Sequence, residues 1–148
     1  DLITGSREQV ADLSAQHLCK GMTDETLERL RSLGQQRRFA SGECIVKTGE
    51  PAESMFFINA GELEVVVDAD AQKRLRLKTL GPGTVFGEMA LIQGKTRSAD
   101  VMAASDVDCL EVRFEDLDEG LRTQILTNMA SYFANKIQQD TSLMQHLA

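Results

Sequence analysis

Apolar positions recur at helical spacing towards both ends of the chain and at strand spacing between them. Residues 6–34 are helical in pattern: Val10, Leu13, His17 and Leu18 share a face, and a second helix opens at Thr23-Asp24-Glu25 and carries Leu27, Leu30 and Leu33. Thr23 or Asp24 is the expected cap and Gly34 the expected stop. From Arg37 the texture changes, as glycines separate short runs rich in Val, Ile, Phe and Leu. These runs predict strands near 36–40, 43–47, 54–60, 62–68, 74–80, 85–86, 97–104 and 108–114. Alternation is plain in Leu63-Glu64-Val65 and in Leu75-Arg76-Leu77-Lys78-Thr79-Leu80, with an exposed hairpin tip at 68–73 and a tighter turn at Asn59-Ala60-Gly61. Short strands at such intervals predict a roll, barrel or sandwich. Residues 115–148 return to helix, with Leu121, Ile125, Met129, Phe133 and Ile137 four apart and Leu117, Leu126, Tyr132, Met144 and Leu147 widening the stripe. That stripe outruns what a small roll needs, so part of it is expected to face a ligand or a second subunit.

One run carries the candidate chemistry: Gly81 to Ala99, GPGTVFGEMALIQGKTRSA. A turn at Gly81-Pro82-Gly83 leads through Val85-Phe86 into one or two turns of helix, which breaks at Gly94 and delivers Arg97, Ser98 and Ala99 into a strand-like run. The start of a helix offers amide donors and the positive end of its dipole. Arg97 adds a planar cation that can grip two phosphate oxygens at once. Glu88 only accepts hydrogen bonds while ionised, which suits a hydroxyl and repels a bare phosphate. An acid and an arginine flanking one helix start therefore suit a ligand with both a hydroxyl and an anionic phosphate, and a nucleotide is the simplest such ligand. Two other phosphate motifs fail: Met89 stands where a P-loop ending in Gly94-Lys95-Thr96 needs its first glycine, and Phe86 stands where the dinucleotide fingerprint starting at Gly81 needs its third.

The run resembles the phosphate-binding cassette of the cyclic-nucleotide-binding domain family, of the catabolite-activator and protein-kinase regulatory-subunit type. The pattern is Phe-Gly-Glu, an apolar residue, Ala-Leu, a gap, then Arg, a small residue and Ala. It is met by Phe86, Gly87, Glu88, Met89, Ala90, Leu91, Arg97, Ser98 and Ala99, and the resemblance extends from about Leu18 to Ala148. It implies an α+β, mainly β fold: an eight-stranded β-roll (a double-stranded β-helix, or jelly roll) over 36–114 with the cassette at 86–99. N-terminal helices in 1–35 and C-terminal helices in 115–148, the latter supplying a lid, complete a single cyclic-nucleotide-binding domain over 1–148. The implied ligand-binding residues are Phe86, Gly87, Glu88, Met89, Ala90, Arg97, Ser98 and Ala99. Glu88 would accept the ribose 2′-hydroxyl and Arg97 would clamp the cyclic phosphate; Gly87, Ala90 and Ala99 would give close backbone approach or amide donors, and Ser98 a hydroxyl. Lys78 lies where some cGMP-selective relatives carry an arginine. Thr141 and Ser142 lie beside the place of a base-contacting Thr-Ser pair in the lid helix of catabolite activators, in a register off by one. The Arg-Ser-Ala shared with catabolite activators favours cAMP over cGMP.

The implied mechanism has ligand drawing the cassette inward, a hinge near Phe114–Leu117 shifting, and the C-terminal helix closing over the base. The effector domain is expected outside this chain, in a larger protein of which this is the C-terminal regulatory part, and a homodimer through the C-terminal helix is compatible with the stripe. Two other readings stay open: a degenerate member that binds no nucleotide and serves as a dimerising scaffold, or a sensor of another small anionic ligand.

Composition narrows the rest. The 148 residues carry a net charge of −7, which argues against direct contact with nucleic acid or an anionic membrane, while a local arginine can still hold a small anion. Cys19, Cys44 and Cys109 are odd in number and form no Cys-x-x-Cys pair, as expected of a reduced, cytoplasmic protein. No apolar run approaches a membrane span, no signal peptide is visible, and the absence of an initiator methionine marks an expected fragment. His17 and His146, the only histidines, are far apart, so neither a metal site, a cofactor nor a catalytic residue is expected and an enzyme is not the reading. Tyr132 and Phe133 read as packing residues, with base stacking as the sharper alternative.

Overall fold

The computed structural model describes residues 14–70 and 73–147, and side chains from 15–68 and 73–140. Two short helices come first, α1 (Ser14–Leu18) and α2 (Asp24–Leu33). Thr23 caps α2 by accepting the Thr26 N–H at 3.1 Å, and the helix stops at Gly34 and runs straight into strand β1 (Gln35–Phe39). There follow β2 (Cys44–Val46), β3 (Ser54–Ala60), β4 (Leu63–Asp70), β5 (Lys73–Leu80), β6 (Val85–Phe86), a single turn of helix α3 (Ala90–Gln93), β7 (Asp100–Ala103) and β8 (Val107–Arg113). A 3-10 turn, Phe114–Asp116, leads to the long helix α4 (Glu119–Leu147). Val10 and Leu13 of the expected first helix, and Ala148, lie outside the described residues.

The strands form two antiparallel four-stranded sheets, β1-β8-β3-β6 and β2-β7-β4-β5, which face one another as the two walls of a β-roll. Strand alternation sends Phe39, Phe56, Ile58, Phe86, Val107 and Cys109 of the first sheet inward to meet Val46, Leu63, Leu80, Val101 and Ala103 of the second. The alternate positions of the first sheet, Met55, Val85 and Val112, point outward under Leu18, Leu30, Leu121, Ile125 and Met129 of the helices. The expected α4 stripe is thus half consumed: Leu121, Ile125 and Met129 are wholly buried, and Ile137 is 65% exposed. Gly61 makes the β3–β4 turn with φ of +93°, and a side chain there would run into the Asp106 carbonyl.

Three expectations need correction. The strand expected over 97–104 begins at Asp100, because the backbone of Arg97 is engaged elsewhere: its N–H donates to Glu50 O at 2.8 Å and its carbonyl accepts from Gly49 N–H at 2.9 Å. The helix expected from 115 begins at 119, with Asp118 accepting the Leu121 N–H at 2.8 Å as its side-chain cap. Strand β5 alternates in sequence but not in burial: Leu75 and Leu77 are 48% and 59% exposed, and only Leu80 is buried. The strand lies at the edge of its sheet, with a register shift opposite Val65 and Val66.

Candidate functional site

A cavity of about 420 Å³ opens at one end of the roll. Its floor is Val65, Leu80 and Val101; one side is the cassette, and the other is α4 through Tyr132, Phe133 and Lys136. Phe86, Gly87, Glu88, Met89, Ala90, Arg97, Ser98 and Ala99 all line it, and so does Lys78. The fold therefore brings together these nine candidate residues from β5, β6, α3 and the segment before β7. The side chains of Thr141 and Ser142 lie outside the described residues.

Arg97 is the centre of the arrangement. The loop before β3 clamps its backbone from both sides, and an isolated bridge between Pro51 and Thr96 extends the clamp. Its guanidinium is half-buried, and Nη2 donates to the Ser54 carbonyl at 2.9 Å, with Ser54 Oγ at 3.4 Å. The guanidinium carbon stands 5.9 Å from the centre of the Phe56 ring, which stacks on Phe86 at 4.7 Å. Desolvation lowers the Arg97 pKa while Glu111 and Glu50 raise it, and a guanidinium remains charged throughout.

Gly87 follows from this placement. A Cβ on it would sit 2.6 Å from Arg97 Nη1 and 3.0 Å from the Ser54 carbonyl, and its φ is +82°. The glycine is needed both for its backbone conformation and for the space the guanidinium fills.

The helix that follows is a single turn, within the one or two turns expected. Met89 stands at the N-cap position of α3 without a side-chain cap bond, Glu88 stands just before it, and the Ala90 N–H donates to Gly87 O at 3.3 Å. Gly94, with φ of 60°, closes the turn after four residues.

At the far side, the Tyr132 ring lies tilted at 42° against His17 with centroids 4.8 Å apart and meets Phe133 edge-on at 5.4 Å, and Lys136 Nζ lies 5.4 Å from the Tyr132 ring centre. Both aromatics border the cavity, so packing describes only part of their environment. Among the described residues that line it, Lys78, Lys95, Arg97 and Lys136 face a single carboxylate, Glu88. A chain of net charge −7 thus presents a cationic cavity, which suits an anionic ligand. Among the described residues no three His, Cys, Asp or Glu converge as a metal site requires.

Sequence reasoning missed the residues behind Arg97. Ser54 is 4% exposed and donates its hydroxyl to Glu111 at 2.6 Å, and Glu111 also pairs with Arg37. Such partners lie on strands far apart in sequence, and nothing in Gln35-Gln36-Arg37-Arg38-Phe39 or Val107-Asp108-Cys109-Leu110-Glu111-Val112-Arg113 sets Arg37 or Glu111 apart from the other polar positions.

Comparison with known proteins identifies the family. The model of the cyclic nucleotide-binding domain matches residues 36–124, more than half of the chain. The chain is 31% identical over 131 residues to glutaminase 2 of Bradyrhizobium diazoefficiens, a match covering 84% of this chain and 20% of that protein. It is 28% identical over 134 residues to the cAMP-activated global transcriptional regulator CRP of Salmonella typhimurium, covering 88% of this chain and 64% of the regulator. The crystal structure of Thermus thermophilus catabolite activator protein superposes with a TM-score of 0.73 at 25% identity, over 88% of this chain and 62% of that one. The chain thus spans about a fifth of the glutaminase and less than two thirds of the regulator. It belongs to the cyclic nucleotide-binding domain family.

Proposed function

We propose that this chain is the regulatory sensor of a cyclic purine nucleotide, a binding module whose occupancy switches an effector outside it. The observation that carries the proposal is the meeting of Arg97 and Glu88 at one cavity, with Gly87 leaving space for the guanidinium. In this reading the cyclic phosphate takes the guanidinium edges that Ser54 does not occupy, and Glu88 accepts the ribose 2′-hydroxyl. Phe86, Met89, Ala90, Ser98 and Ala99 enclose the sugar-phosphate, and α4 covers the base through Tyr132, Phe133 and Lys136. The ligand must favour the covered state over the open one for occupancy to reach an effector. A module matching only a fifth of a glutaminase and part of a transcriptional regulator fits a sensor joined to differing outputs. Three free cysteines fit a cytoplasmic setting, and no helix among the described residues is long and apolar enough to cross a membrane.

The preferred ligand is cAMP, supported by the Arg97-Ser98-Ala99 sequence and by the name of the regulator it resembles. A specific observation favours cGMP as the second reading: Lys78 and Lys136 are donors only, and guanine offers O6 and N7 as acceptors where adenine offers N7 and an amino group. Mass spectrometry of nucleotide released from the purified protein, followed by calorimetric titration with both ligands, decides between them. Saturable one-site binding of either supports the sensor. A folded protein that carries no nucleotide and gives no heat with either is the degenerate scaffold instead.

A further inference from the structure

Among the apolar residues on the inner face of the first sheet stands a mostly buried carboxyl side chain, Glu111, that sugar-phosphate contact does not require. Glu111 lies directly across from Phe56 on β3 and next but one to the buried Cys109, so it shares the face that closes the roll. Its side chain is 15% exposed. A carboxylate so placed needs partners for both oxygens, and it has them: Arg37 on one, the Ser54 hydroxyl at 2.6 Å on the other.

Ser54 also faces Arg97. Its carbonyl accepts Arg97 Nη2 at 2.9 Å, and its Oγ stands 3.4 Å from the same nitrogen. A serine has one hydroxyl proton, and here Glu111 takes it, which leaves the oxygen lone pairs turned towards the guanidinium. We infer that Glu111 is a positioning residue of the anion site, acting through Ser54 to hold the Arg97 guanidinium in a fixed orientation. A carboxylate bonded directly to the guanidinium would compete with a phosphate for its donor edges. Set one residue back, it supplies counter-charge and orientation while those edges stay free, and Arg37 keeps it from moving closer. Affinity then rises because the site is ordered before the ligand arrives.

The inference rests on the cyclic-nucleotide reading for its affinity arm but not for its structural arm. The bystander alternative makes the opposite prediction in sign: removing a negative charge near a phosphate site without disturbing the arginine should leave binding unchanged or tighten it. The variants are Glu111→Gln, which keeps the shape and removes the charge, Ser54→Ala, which cuts the relay, and the two combined. All are checked for folding by thermal unfolding, titrated with cAMP, and observed ligand-free through the 15N-edited signals of the Arg97 side chain. Each single variant is expected to bind cAMP about tenfold more weakly, the scale of a hydrogen bond to a charged group, and the double variant no more weakly than either. In the ligand-free protein the Arg97 Nη signals should be resolved, and in both variants averaged. Unchanged or tighter binding by folded Glu111→Gln, additive losses in the double variant, or Arg97 signals indifferent to both changes would each overturn the inference. If the unaltered protein binds no cyclic nucleotide while its Arg97 signals still depend on Glu111 and Ser54, the sensor reading fails and the positioning role stands.

Discussion

The two sheets have the same number of strands and very different surroundings. Sheet β1-β8-β3-β6 is covered on both faces, by the roll interior and by a helical layer containing the wholly buried Leu121, Ile125 and Met129. Sheet β2-β7-β4-β5 is covered on its inner face except along most of β5, while the other side carries solvent-accessible pairs such as Arg74–Asp100 at 2.8 Å and Arg76–Glu64 at 3.2 Å. The candidate anion site lies at the seam between them. Arg97 comes from the segment leading into the thinly covered sheet, and its guanidinium is held by Ser54 of the doubly covered one. A charged side chain gains precision by bonding to the doubly covered wall, and the backbone that carries it is fixed separately by the 49–51 loop.

That contrast can be broken at several points. The largest effect is expected from Arg97→Ala, which removes a half-buried cation from the cavity: cAMP affinity should fall by about 2–5 kcal/mol in calorimetry, with the melting temperature little changed. Next comes the difference in stability between the walls. Ile125→Ala, under the first sheet, should cost about 2–5 kcal/mol in denaturant unfolding, whereas Leu77→Ser on the exposed β5 should stay within about 0.5 kcal/mol. Equal costs would erase the distinction between the sheets. Gly87→Ala adds a Cβ that meets Arg97 Nη1 and places alanine at positive φ, so a stability loss of about 1–3 kcal/mol should accompany weaker cAMP binding.

The smallest effect concerns acid. Asp100 accepts the Thr48 N–H at 2.7 Å, the Arg74 guanidinium at 2.8 Å and the Thr48 hydroxyl at 2.8 Å, which together hold its pKa at about 2 against an ordinary 3.8. The folded state therefore prefers the charged form. Its contribution is complete above the ordinary value and is lost as pH falls from about 3.8 towards 2. Unfolding free energy measured across that window should fall more steeply for the native protein than for Asp100→Asn.

What the sequence revealed and what it hid divide along the same seam. Strands separated by glycines, the cap at Thr23 and the run from Phe86 to Ala99 that borders the cavity were legible because each depends on neighbours a few residues away. The burial of β5 was not, since alternation in Leu75-Arg76-Leu77 records a pleat but not whether anything covers it. Arg97 was legible as a phosphate ligand candidate, but the strand assigned to it was not there, because its backbone bonds the 49–51 loop nearly fifty residues earlier in the chain. Ser54, Glu111 and Arg37 were silent for the same reason: β3, β8 and β1 become neighbours only when the sheet forms. Tyr132 and Phe133 fell on an apolar stripe, where a residue facing a core and one facing a cavity look alike.

The central claim is that a cyclic nucleotide enters the seam cavity and engages Arg97 there. Titration of 15N-labelled protein with cAMP tests it most directly, following the Arg97 Nε signal and the amides of 86–99 alongside those of the helical layer. Saturable shifts are expected to concentrate at Arg97, Gly87 and Ala99, with smaller ones at Lys78 and in α4 around Tyr132. Saturation with those signals unmoved, or shifts confined to other surfaces, would contradict it.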